Sequence, residues 1–149
     1  MRQISVTRDI TAPQSAVWAV LADFPNISEW NGGVKASRST SNSTEGLGAR
    51  RHCDLAPAGA LDETIIGWEP ESQMVIRIDK AAKIPVKTGE VTFDLVERES
   101  AVTPTTITYA YEPKFGAVGN LLLGRFLDKQ LTSGFGGFLE DLEKAALTR

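Results

Sequence analysis

The end of this chain reads as one long helix whose two halves are patterned differently. From Leu131 onward, Leu131, Phe135, Phe138, Leu142, Ala145 and Ala146 fall on one arc, and Glu140, Asp141, Glu143 and Lys144 take the opposite side. The front half, Val118 to Leu127, is apolar almost all the way round. A surface helix needs only one apolar stripe. The excess of Leu and Phe must be covered by more protein, by a partner or by a greasy ligand. That choice frames the functional question.

A chain of 149 residues is the size of one domain and can bury a core without staples. We therefore read residues 1–149 as a single domain. The net charge of -3 and the dispersed basic residues argue against nucleic acid or an anionic membrane as a bulk electrostatic partner. The single cysteine, Cys53, can form no internal disulfide, which suits a reducing compartment. The N-terminal residues lack the apolar core of a secretory signal, and no apolar run approaches a bilayer span. The expected setting is the cytoplasm, as a monomer or homodimer.

Ile4, Val6 and Ile10 alternate with polar residues and predict a first strand. Thr11-Ala-Pro-Gln14 then resembles a helix start, with Thr11 as N-cap, and Ala16, Val17, Val20, Leu21 and Phe24 follow at helical spacing. Pro25 ends that helix. A short helical turn through Trp30 stops at Gly32-Gly33. From Val34 to Pro113 the pattern is β: strands at 34–40, 48–55, 61–68, 74–79, 90–97 and 105–112, separated by turn signals at Gly, Pro, Asn and Ser. Residues 83–87 and 98–104 read as loops. Sheet and helices are segregated, which is the α+β class. The expected architecture is a seven-stranded curved antiparallel sheet (strand, two short helices, six strands) wrapped on a long C-terminal helix. A bent sheet gripping one helix leaves room between them for a small molecule.

The opening Ala12-Pro-Gln-Ser-Ala-Val-Trp-Ala-Val-Leu-Ala-Asp-Phe-Pro25, followed by Trp30, Gly46-Leu-Gly-Ala-Arg-Arg51, Leu61-Asp-Glu-Thr-Ile-Ile-Gly-Trp-Glu-Pro70 and Thr106-Ile-Thr-Tyr109, resembles the START-like, helix-grip (SRPBCC) superfamily. Within it the chain is most similar to the polyketide cyclase/dehydrase and lipid transport family. The likeness runs in order over essentially the whole chain. It implies a hydrophobic cavity between sheet and C-terminal helix, but no single activity. Members include lipid carriers, hormone receptors, cyclases and chaperone activators.

Glu63 is the carboxylate of most interest. If Leu61, Glu63, Ile65 and Gly67 share one strand face, Glu63 points among cavity residues. The other reading is a solvent-facing Glu. Ligand-binding relatives resemble this chain in having a pocket Glu at the matching place, and some hormone-binding relatives have a Lys resembling Lys35. Lys35 and Arg51 could each pair with Glu63 across the sheet. For Lys35 the alternative is a plain surface charge after a turn. Arg51 is inward if Cys53 and Leu55 are. His52, the sole histidine, is then outward with Arg50 and Asp54. A lone His cannot build a zinc site, and neither metal nor cofactor is expected. Cys53 reads as a small buried side chain, not a nucleophile. Tyr109 and Tyr111 share a face, which we assign to the outside of the sheet. Gly134, Gly136 and Gly137 interrupt the long helix, either for close approach to the sheet, which we prefer, or as a kink.

The candidate ligand-binding set is therefore Lys35, Arg51, Cys53, Leu55, Leu61, Glu63, Ile65, Leu122 and Phe126. Three functions remain in play. The first is a carrier or sensor for a small apolar molecule: a lipid, an aromatic or a polyketide-like compound. The second is a cyclase or dehydratase, with Glu63 as base and Arg51 or Lys35 polarising a carbonyl. The third is a protein-interaction module that uses the Leu121-Leu122-Leu123 and Phe126 surface.

Overall fold

The computed structural model describes residues 2–98, 101–114 and 116–148. Strand β1 is Arg2–Ile10, helix α1 Gln14–Ala22, and a 3-10 turn covers Phe24–Glu29. Six strands follow: β2 Val34–Ser39, β3 Arg50–Leu55, β4 Ala60–Glu69, β5 Gln73–Ala82, β6 Val86–Leu95 and β7 Thr103–Pro113. Helix α2 runs from Gly116 to Thr148. The strands form one antiparallel sheet in the order β1-β7-β6-β5-β4-β3-β2. Chain order and spatial order agree except for β1, which pairs with β7, while α1 and the 3-10 turn carry the chain from it to β2 at the opposite edge. The expected architecture is the one observed.

The local boundaries differ in instructive ways. Thr11 does not cap α1. Pro13 occupies the N-cap position with no side-chain cap (φ -63°, ψ 151°), its ring fixing a backbone already suited to helix entry. Thr11 instead gives its backbone N–H (2.8 Å) and hydroxyl (3.0 Å) to Oε2 of Glu143 on α2. Thr11 thus bonds a side chain 132 residues along the chain and not the start of its own helix. Strand β6 begins at Val86, inside the expected loop, because Val86 pairs with Pro113. The loop expected over 98–104 falls partly outside the described residues, and Thr103 already belongs to β7.

The sheet buries one face. Met74, Ile76 and Ile78 of β5, Val91, Phe93 and Leu95 of β6, and Ile107, Tyr109 and Tyr111 of β7 alternate inward. Two register shifts lie between β4 and β5, at Asp62/Glu63 and at Ile65/Gly67. The second reverses which residues face in. Trp68, not Gly67, continues the inner face of β4, and it meets Trp18 of α1 edge-on at 5.0 Å between ring centroids.

Helix α2 packs on β1, β7 and α1. Leu139 and Leu142 are fully buried against a core that includes Ile10, Val17 and Val20. Ion pairs fasten both ends of β1 to it: Arg2–Asp128 at 2.6 Å and Arg8–Glu143 at 2.8 Å. The helix is continuous through Gly134, Gly136 and Gly137, and a Cβ at any of the three would meet open space. Our preference for close approach there is wrong. Close approach occurs at Gly124, where an added Cβ would collide with the Arg2 guanidinium.

Candidate functional site: a cavity with one polar wall

The inner faces of β3 to β7 curve away from α2 and enclose a cavity of about 410 Å³. Its walls are mostly apolar. Ile76, Ile78, Val91 and Phe93 form the sheet side; Leu127, Leu131, Phe135 and Phe138 form the helix side; Ile27, Val34, Ile84 and Pro85 close the ends. The helix-side rings are interlocked. Phe138 touches Trp30, Phe93 and Phe135, and Phe135 meets Tyr109 edge-on at 5.3 Å. Edge-to-face contact of this kind holds rings in fixed orientations.

One wall is polar, and it is built from neighbouring strands. Arg51 on β3 lies directly opposite Glu63 on β4. Arg51 Nε donates to Glu63 Oε1 at 2.9 Å, and Nη1 donates to the Phe24 carbonyl at 2.9 Å. Its guanidinium carbon stands 3.9 Å above the centre of the Phe24 ring. Both residues are only 6% exposed. A charge buried this deeply is sustained by its partner and its hydrogen bonds. Cys53 Sγ donates to the same Glu63 oxygen at 3.6 Å, and burial pushes its thiol up to about 12. Cys53 is therefore no nucleophile at neutral pH. Oε2 of Glu63 has no hydrogen-bond partner among the described residues.

Tyr109 adds a further polar group to the cavity lining from β7. Our outward assignment of Tyr109 and Tyr111 is wrong. Both face in, stacked at 5.2 Å. Gly89 on β6 makes this possible, since a Cβ there would stand 2.8 Å from the Tyr109 ring. Burial, and secondarily the charge of Glu63, raises the Tyr109 phenol far above its ordinary range, so it stays protonated. Its hydroxyl has no partner among the described residues. Tyr111 instead donates to Asp128 at 2.6 Å, where Arg2 holds the carboxylate below its usual range.

Arg51, Cys53, Leu55, Leu61 and Glu63 thus line the cavity, but four other candidates do not. Lys35 is exposed: next to a register shift in β2, it points to solvent, away from Glu63. Ile65 is buried in the packed core beyond the cavity, opposite Ile76. Leu122 (74% exposed) and Phe126 (58%) lie on the outer side of α2, because Gly124 and Leu127 take the sheet-facing positions in that stretch. Sequence reasoning also missed Tyr109, Phe135 and Phe138 as site residues. The inner arc of α2 had already grouped the two phenylalanines. Nothing local could have assigned the Tyr109 face.

On the outer face, His52 bonds Asp62 (2.7 Å) and Asp54 (3.1 Å), and both acceptors favour the imidazolium. Among the described residues no cluster of three His, Cys, Asp or Glu could hold a metal, and no helix is long and apolar enough to cross a membrane.

Solved structures share this architecture. Protein TTHA0849 from Thermus thermophilus superposes with a TM-score of 0.81 at 18% identity, covering 99% of this chain and 98% of that one. The ZhuI aromatase/cyclase from Streptomyces sp. R1128 gives 0.78 at 18% identity over 99% and 94%. Ara h 8.0201 gives 0.78 at 8% identity over 99% of both chains. At such identities the likeness is one of fold. No curated protein matches in sequence. The family description "Polyketide cyclase / dehydrase and lipid transport" matches residues 1–146, and with the helix-grip cavity in place the chain belongs to that family and so to the SRPBCC superfamily.

Proposed function

We propose that this protein binds a small, largely apolar molecule between sheet and α2, as a carrier or sensor. The observation that carries this reading is the cavity of about 410 Å³, with mostly greasy walls and the Arg51–Glu63 ion pair in its lining. Its volume lies within the range of small-molecule sites, roughly 300 to 1,000 Å³. Apolar surface removed from water stabilises a complex by about 25 cal/mol per Å². The buried lone cysteine supports a cytoplasmic setting. We read residues 1–149 as one domain, acting as a monomer or homodimer.

The test is titration with Nile red, a neutral apolar dye, alongside native mass spectrometry of freshly purified protein. Saturable one-to-one dye binding is the expected result. Leu61→Trp, which fills the cavity from β4, abolishes binding while far-ultraviolet circular dichroism is retained. A protein that is empty as purified and does not bind the dye overturns the reading.

A second reading, a cyclase or dehydratase, draws on one specific observation. Glu63, with one carboxylate oxygen unpartnered among the described residues, and Tyr109, whose hydroxyl is likewise unpartnered among them, line the same cavity. A base and a hydrogen-bond donor in one cavity are the minimum for removing a proton next to a carbonyl. Loss of one water from a bound β-hydroxy ketone, giving the α,β-unsaturated ketone and absent in Glu63→Gln, would establish it.

A further inference from the structure

Resting on the cavity-binding reading, we propose that the guest is electrically neutral and presents a hydroxyl-type donor to Oε2 of Glu63. The argument begins with charge. Among the described residues lining the cavity, Arg51 and Glu63 are the only charged side chains, and they cancel. Lys35, the further cation expected at this wall, is exposed and does not line the cavity. A carboxylate or phosphate guest would therefore enter a largely apolar space whose lining carries no net positive charge. It would sit beside a second carboxylate, which carries a large penalty.

Hydrogen-bond accounting then selects the polar group. Arg51 gives Nε to Glu63 and Nη1 to the Phe24 carbonyl, and its flat face rests on the Phe24 ring. Two of its five N–H donors are used in this way, and its charge is balanced by Glu63. Glu63 receives Arg51 and Cys53 on Oε1 alone. The unused oxygen is an acceptor on an ionised group, and only a donor satisfies it. Hydrogen bonds to charged acceptors contribute more than neutral ones. The protonated Tyr109, lining the same cavity from β7, is a further hydrogen-bonding group for such a guest. Alcohols and phenols carried on an apolar frame fit this wall, while fatty acids and other anionic lipids do not.

The experiment is isothermal titration calorimetry near neutral pH with three probes on one bicyclic frame: naphthol, methylnaphthalene and naphthoic acid, the last ionised. The expected order is naphthol tightest, by about tenfold or more over methylnaphthalene, with naphthoate weakest. Glu63→Gln removes the cancelling charge and leaves the Arg51 cation to the guest, so the order reverses and naphthoate overtakes naphthol. If that variant does not fold, the wild-type order alone decides. Naphthoate binding as tightly as naphthol, or methylnaphthalene equalling naphthol, overturns the inference and leaves the cavity reading intact. If none of the three binds and Nile red also fails, the cavity reading falls and takes the inference with it.

Discussion

Two charged clusters stand back to back on the same pair of strands. Arg51 and Glu63 face the cavity; one residue along, His52 and Asp62 face outward. Each couple is a cation or imidazole on β3 opposite a carboxylate on β4, with contacts of 2.9 and 2.7 Å. Their surroundings separate them. The inner side chains are both 7% exposed, whereas His52 is 23% and Asp62 42% exposed. Water can replace either partner of the outer couple. It cannot do so on the inner wall, where losing one partner strands the other as a bare buried charge. Equal geometry therefore does not mean equal energy.

The largest expected break in this comparison is Arg51→Met. It leaves Glu63 buried without its cation and lowers stability by about 3–5 kcal/mol in urea denaturation. A loss under about 1 kcal/mol would show that water reaches Glu63 freely. The double variant R51M/E63L sharpens the point. With both charges gone, stability returns to within about 2 kcal/mol of wild type, because the pair costs nearly as much to desolvate as it gains. Nile red binding survives, and the preference for naphthol disappears.

An intermediate case is Tyr111→Phe. It removes the hydroxyl bonded to Asp128, whose pair with Arg2 is about a quarter exposed. The expected loss is about 1–2 kcal/mol, measured by thermal melting.

The smallest effect is His52→Gln, under about 1 kcal/mol, as for exposed pairs generally. Its signature is pH. The hydrogen bond to Asp62, then that to Asp54, raises His52 above its ordinary value near 6.5. A raised pKa means that the folded state binds the proton more tightly than the unfolded chain does. The contribution is therefore complete below about 6.5 and fades as pH rises through the folded value. Wild type should exceed H52Q in mildly acidic buffer and match it in alkaline buffer. A gap independent of pH would show that packing, not charge, makes the difference.

Of the outer couple only the outward side of His52 was legible, since His52, Arg50 and Asp54 alternate away from Cys53; its pairing with Asp62 was not. The inner couple was half legible. Arg51 and Glu63 were candidates, but their partnership depended on a register that only strand pairing sets. Lys35 looked as eligible as Arg51 and proved to be a surface charge. On α2, the arc from Leu131 to Ala146 gave the buried side correctly. The apolar front half misled: Leu121, Leu122 and Phe126 remain on the outer side, and residues further along the helix line the cavity.

Alternation by two along strands, the 3.6-residue period of α2 and the turn residues between them were enough to determine the strand count, the chain order and a sheet gripping one helix. These patterns are local and repeat over many residues, so single exceptions average out. Which wall each polar side chain joins was a tertiary decision. A one-residue shift at Ile65/Gly67 turns Trp68 inward, Gly89 admits the Tyr109 ring, and Glu143 draws Thr11 away from capping its own helix. Each of these depends on a partner distant in the chain. The hollow itself is the space that such contacts leave unfilled, and no stretch of sequence encodes it alone.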